Sequence, residues 1–253
     1  MNPHLQRALA EDDPSGYLRY HAPRYQRVLE LLSQYAAPEP AVLDIGRTRF
    51  TRIVANVLDR PVDSLGFEAD GDTATGYNYR FDLNDSVDES DWRRDLPRYD
   101  LVLFCEVLEH LYTSPRQVLA FVRTLLKPDG FLILQTPNAV VLHKRVLMLL
   151  GFHPYSPISE HRKRPAHFRE YTRRELAHYA AAAGFDIVER SAENYFDYRY
   201  TGHSRGNPQP ARYLGLVNAL YRIAPGSLRP GLCFVMTPNR RAANDATAGA
   251  RPS

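Results

Sequence analysis

Cysteine is scarce in this chain of 253 residues: Cys105 and Cys233 are the only two. Two thiols cannot build a disulfide framework, which argues for a reducing compartment. No apolar stretch is long enough to span a bilayer; the longest, Ala139 to Phe152, is broken by His143-Lys144-Arg145. The first residues, MNPHLQRALAEDD, lack the apolar centre of a signal peptide, so a cytoplasmic location is expected. The sequence has neither the G-x-G-x-x-G fingerprint of dinucleotide binding nor the G-x-x-x-x-G-K-[ST] phosphate loop. Net charge is only +3, no RNA-binding module stands out, and nucleic acid is not an expected partner. No internal repeat is visible.

What is present is concentrated between Tyr99 and Asn138. Leu101-Val102-Leu103-Phe104 is a continuous apolar run, as in a strand buried on both faces. Ser114 is placed to cap a helix whose first residue is Pro115, where the missing N–H does no harm. Val118, Leu119, Val122, Leu125 and Leu126 form its apolar face, and Lys127-Pro128-Asp129-Gly130 ends it. Phe131-Leu132-Ile133-Leu134 is the next buried strand. A strand-helix-strand unit of this kind predicts a parallel sheet, whose ligands sit beyond the carboxyl ends of the strands. Those ends carry Cys105-Glu106 and Gln135-Thr136-Pro137-Asn138.

In Glu106-Val107-Leu108-Glu109-His110-Leu111, Leu126-Lys127-Pro128-Asp129-Gly130 and Thr136-Pro137-Asn138, taken in this order, the chain resembles the class I S-adenosylmethionine-dependent methyltransferases. The likeness is greatest to the branch of ubiquinone-biosynthesis O-methyltransferases and methyltransferases of secondary metabolism. The resemblance implies an α/β, Rossmann-like three-layer sandwich with a seven-stranded, mostly parallel sheet, its last strand antiparallel, and S-adenosylmethionine as cofactor. The strands are expected at Ala41 to Gly46, Val62 to Phe67, Tyr79 to Leu83, the two runs above, Phe185 to Val188 and Leu232 to Met236. Helices are expected at Phe50 to Leu58, Val140 to Leu150 and Glu175 to Ala183. Residues 1–37 read as a helical N-terminal cap interrupted by Pro23, residues 38–239 as the methyltransferase domain, and 240–253 as a disordered tail. Two connections, 139–171 and 191–231, are long enough to be functional elements on the substrate side.

A cofactor with an adenosine and an amino-acid part needs an acid after the second strand for its ribose hydroxyls. Glu68 fits, because a carboxylate accepts from both. Asp82, after the third strand, fits the adenine amine. The resemblance puts Asp44 beside the methionine part and adds Gly46, Arg47, Leu83 and Cys105 to the cofactor contacts. Acids at strand ends are also commonly only solvated. The loop Gly46-Arg47-Thr48-Arg49-Phe50 keeps one glycine where the family has several; Arg47 or Arg49 could pair with the cofactor's carboxylate instead.

His110 and His167 are the candidate catalytic bases, since imidazole titrates near neutral pH; His143, His153 and His161 lie in the same insertion. If Glu106 opens a helical turn, Glu109 and His110 share its face. With His167 these also resemble the metal set of small-RNA 2′-O-methyltransferases, although Glu-x-x-Glu-His occurs in metal-free methyltransferases too, and no metal is expected. The basic run Arg162-Lys163-Arg164, followed by Arg169, Arg173 and Arg174, is either a solvated face or a hold on an anionic acceptor. The expected activity is methyl transfer to a small molecule or glycan, at oxygen. Its rivals are a metal-dependent RNA 2′-O-methyltransferase and a non-catalytic binding protein of the same fold. Residues 139–170 are expected to close as a lid.

Overall fold

A computed structural model of the chain describes residues 1–11, 13, 16–157, 166–201 and 210–239. The strands are β1 Val42–Ile45, β2 Asp63–Gly66, β3 Gly71–Asp72, β4 Tyr77–Arg80, β5 Tyr99–Cys105, β6 Leu126–Pro137, β7 Phe185–Glu193 and β8 Gly231–Pro238. The helices are α1 Pro3–Ala10, α2 Tyr17–Tyr35, α3 Arg49–Leu58, α4 Pro115–Thr124, α5 Leu142–Leu149, α6 Arg173–Ala182 and α7 Gly215–Ile223. The strands form one sheet of order β3-β4-β2-β1-β5-β6-β8-β7. β4, β2, β1, β5 and β6 are parallel, and β8 runs antiparallel to both β6 and β7.

The apolar run in β5 is buried on both faces for a visible reason. Leu101 and Leu103 join α1, α2 and α3 in one apolar cluster, and Val102 and Phe104 join α4 and α6 in the other. Side-chain alternation along a strand produces this division, and the result is a three-layer α/β sandwich.

Several expectations are corrected. The sheet has eight strands rather than seven, because the two residues of β3 add an antiparallel edge to β4. Two residues carry no apolar pattern to read. The third expected strand ends at Arg80 instead of Leu83, because Asp82 accepts from the Asn84 N–H at 2.9 Å and turns the chain into a 3₁₀ turn, Leu83–Val87. The segment Leu126 to Gly130 extends β6 instead of ending a helix. Ser114 stands at the N-cap of α4, but its side chain makes no capping bond; its carbonyl takes the N–H groups of Gln117 and Val118. Pro23 does not interrupt α2, which runs unbroken past it. One lost hydrogen bond is outweighed by the burial of Leu18, Tyr25, Val28, Leu29, Leu31 and Leu32. Residues His161 and Arg162-Lys163-Arg164, and the tail 240–253, lie outside the described residues.

β8 begins where Tyr195 is fully buried and donates its hydroxyl proton to the Leu232 carbonyl. A Cβ on Gly231 would run into that ring. Gly231→Ala should therefore lower unfolding stability by about 1–3 kcal/mol through overpacking, read as a lower urea midpoint with an unchanged slope. An unchanged midpoint would show that the ring moves aside freely.

Candidate active site

The carboxyl ends of β1, β2, β5 and β6 converge, and each leaves a short polar sequence there. Asp44, in β1, is 5% exposed and accepts the Thr51 hydroxyl proton at 2.6 Å. Thr51 also belongs to the capping box that starts α3 at Thr48, so the helix cap fixes the Asp44 rotamer. Gly46 follows with φ +83°, and an added Cβ would meet Val107 Cγ2 at 2.9 Å, so only glycine fits. Arg47 is ion-paired with Glu68, and Arg49 lies 4.0 Å from the buried Asp13. Asp82 receives both the N–H and the side-chain amide of Asn84. Leu83 is buried beside it, and Cys105 is half-buried at the end of β5. Open space lies over Gly66, where an added Cβ would meet nothing within 4 Å.

Glu106 carries a backbone φ of +58°, so it does not open the helical turn expected for it; that turn is Leu108–His110. A non-glycine residue in this region stores strain, and such strain gathers at functional sites. Glu109 is fully buried; its Oε2 accepts from Thr136 at 3.1 Å, and its carbonyl accepts from the N–H groups of Phe168 and Arg169. Oε1 of Glu106 and Oε1 of Glu109 are buried with no hydrogen-bond partner. Burial raises the pKa of Glu106, against the opposing pull of Arg24 and His167. Burial raises Glu109 well above the usual carboxylate range, and the Glu106 charge adds to the effect.

The two candidate bases come together. The rings of His110 and His167 stand edge to face, 5.0 Å apart. His110 Nδ1 is 3.2 Å from the Ala166 carbonyl, and His167 Nδ1 is 2.9 Å from Glu170 Oε1. Both partners only accept, so in the neutral ring each Nδ1 carries the proton and each Nε2 the lone pair. Glu170 is also ion-paired with the buried Lys144 of α5. His143 bonds Tyr221, and His153 the Tyr155 carbonyl, so neither belongs to the pair. Arg169 donates to Glu175 at 2.6 Å.

Sequence reading missed Arg24. It is 5% exposed, and its Nε donates to His21 Nδ1 at 2.9 Å. Among the described residues no carboxylate lies within ion-pair distance, yet its charge acts on Asp44, Glu106 and Glu109. The signal was there: His21 and Arg24 sit on the same buried helical stripe as Leu18, Tyr25 and Val28.

The methyltransferase-domain family matches residues 17–190. The chain belongs to this family. It is an S-adenosylmethionine-dependent methyltransferase, as the motifs implied. A ubiquinone biosynthesis O-methyltransferase of Burkholderia thailandensis is 31% identical over 180 residues, 62% of this chain and 69% of that protein. Solved structures agree on the fold. A methyltransferase bound to the Haloferax volcanii activator Trm112 gives a TM-score of 0.55 at 13% identity, covering 90% of this chain and 93% of that one. A methyltransferase of Archaeoglobus fulgidus gives 0.50 at 15% identity, covering 84% and 94%. No helix of this methyltransferase, among its described residues, is long and apolar enough to cross a membrane.

Burial raises the Asp44 pKa to about 7, opposed by Thr51 and Arg24. A raised carboxylate makes the folded state hold a proton that the unfolded chain has released. The Asp44 contribution to stability should therefore fall as pH rises from about 4 to about 7 and then level off. Asp44→Asn removes that one contribution while keeping an acceptor for Thr51. Its stability relative to wild type, from denaturant unfolding without cofactor, should improve by on the order of 2 kcal/mol between about pH 5 and about pH 8. A pH-independent difference would mean that Asp44 is ionised throughout.

Proposed function

We propose that the protein transfers a methyl group from S-adenosylmethionine to a hydroxyl oxygen of a small molecule or glycan, in the cytoplasm. The observation that carries the reading is the pairing of two histidines, each with a basic Nε2, beside the buried carboxylates at the end of β5. The name of the Burkholderia relative, an O-methyltransferase, supports oxygen as the acceptor atom. The two free cysteines suit the compartment. An anionic acceptor loses one support, because Arg169 is already paired with Glu175.

The residues present fit the cofactor. Arg24 is a buried cation with no carboxylate within ion-pair distance among the described residues, and it suits the cofactor's carboxylate. Asp44 and the unpartnered oxygen of Glu106 suit its ammonium end. Gly46 allows close backbone approach, and Glu68 suits the ribose once it shares or releases Arg47. Asp82 and Leu83 suit the adenine, with Cys105 as part of the wall. The bound cofactor supplies a methyl group on a cationic sulfur.

The protein's own part is position and proton transfer. His110 or His167 takes the acceptor's hydroxyl proton at Nε2. Glu170 holds the His167 ring through Nδ1, which fixes both its tautomer and its direction. Hydrogen bonds from His167 and Lys144 hold the Glu170 carboxyl below its usual pKa despite burial, so it is an acceptor at neutral pH. A second reading has one specific support: ligand atoms of Glu109, His110 and His167 lie within 4.8 Å of one another, a set suited to a divalent cation.

Calorimetry should show binding of S-adenosylmethionine to the intact protein. Arg24→Ala should weaken it by about 1.5–3 kcal/mol, as for hydrogen bonds to charged groups. Intact protein that binds neither the cofactor nor its demethylated product would end the enzyme reading.

Labelled methyl transfer to a panel of hydroxylated small molecules and glycans tests the chemistry. His110→Ala or His167→Ala should lower kcat by about 10²–10⁴-fold with cofactor affinity kept. Glu170→Gln should cause a smaller loss and move the pH profile. Activity should survive a strong chelator; loss restored by Mg²⁺ or Mn²⁺ would establish the metal reading instead.

A further inference from the structure

We propose that α5, the turn that follows it and α7 form one face that docks on an anionic lipid surface. The proposal concerns a surface outside the catalytic residues and stands apart from the acceptor's identity. α5 and its end present an unbroken exposed apolar run from Val146 to Leu150, then Phe152; Leu149 is 86% exposed and Phe152 62%. α7 buries Tyr221 and turns Leu216, Leu220 and Ile223 to solvent, with Leu216 77% and Ile223 82% exposed. Spaced at i, i+4 and i+7, these three form a single stripe. An exposed apolar surface of this kind on a folded domain marks an interaction site.

The two helices are neighbours. His143 of α5 lies 2.9 Å from the Tyr221 hydroxyl of α7, and Arg145 donates to the Ser227 carbonyl just beyond α7. Topology explains this: α5 follows the carboxyl end of β6, and α7 leads into the start of antiparallel β8, at the same end of the sheet.

Charge selects the occupant. The described residues 139–157 and 210–239 contain no Asp or Glu. Arg145, Arg212 and Arg222 are exposed there, and none has an ion pair among the described residues. Apolar side chains fringed by arginine match a bilayer of anionic headgroups, and the acids packed against the two helices are already paired, Glu170 with Lys144 and Asp197 with Arg199. A second copy would set cation against cation, which disfavours self-association through this face. Helices of 8 and 9 residues are far too short to span, so the contact is peripheral.

Co-sedimentation with vesicles tests this, using phosphatidylcholine alone and phosphatidylcholine mixed with phosphatidylglycerol. The protein should pellet with the mixed vesicles and stay soluble with phosphatidylcholine alone. Raising salt from about 0.1 M to about 1 M should release it, as screening shortens. Leu149→Ser and Ile223→Ser should each weaken partitioning about tenfold, and Arg145→Ala and Arg222→Ala about fivefold each. Near-ultraviolet circular dichroism and cofactor calorimetry should match wild type for all four, which separates this result from any failure of the methyl-transfer reading. Absence of pelleting with phosphatidylglycerol at low salt overturns the proposal. So does equal pelleting of wild type and the Ser variants, or a wild-type dimer that the Ser variants convert to monomer.

Discussion

A guanidinium held out of water without a carboxylate beside it is the constraint to which the rest of the site answers. Burying a cation costs several kcal/mol unless something compensates it. At Arg24 the compensation inside the chain is a histidine nitrogen, a tyrosine hydroxyl and the more distant fields of Asp44 and Glu106. Such a group stays in place only if its helix is rigid and well packed. α2 meets that need with eight buried positions and continues through Pro23. The N-terminal segment is therefore a working wall of the site: its apolar stripe lies in the same cluster as β1, β5, β6 and β8.

The glycine-poor loop after β1 has a simple physical account. Among the described residues, positive φ in that loop occurs at Gly46 alone. Arg47, Thr48 and Arg49 adopt backbone angles open to any residue, and Thr48 caps α3. Glycine is needed at the one position where a Cβ would strike Val107. The other positive φ at these strand ends is at Glu106, just beyond the adjacent strand β5.

Most of the fold was legible in the sequence because its signals are local. Apolar runs bounded by polar strand ends marked β1, β5 and β8 to within two residues, and marked β6 apart from its first five residues. What escaped was decided by partners far along the chain or by too few residues. β3 is a two-residue edge, and β4 ends early because Asp82 prefers a turn. The meeting of His110 with His167 was only a suspicion, since 56 residues separate His110 from the Ala166 carbonyl that holds it. Glu170 and Lys144 gave no sign, because a buried ion pair between two insertion residues looks in sequence like any surface charge. Arg24 could have been found by asking why an arginine sits on an apolar stripe.

β8 pairs with β6 across about a hundred residues of chain, Leu132 with Met236 and Pro137 with Gly231, whereas β1, β2, β4 and β5 all lie between residues 42 and 105. During synthesis from the N-terminus, the half of the sheet from β4 to β5 has every strand it needs long before β6 can pair with β8. The open edge of β6 must wait for residues 231–238, and until they arrive it is an unpaired template for any other strand. Late closure ties the two insertions to one event, since β8 ends the second and pairs with the strand that begins the first. The order of contact formation thus divides the sheet into an early half built from near neighbours in sequence and a late half closed by a distant strand.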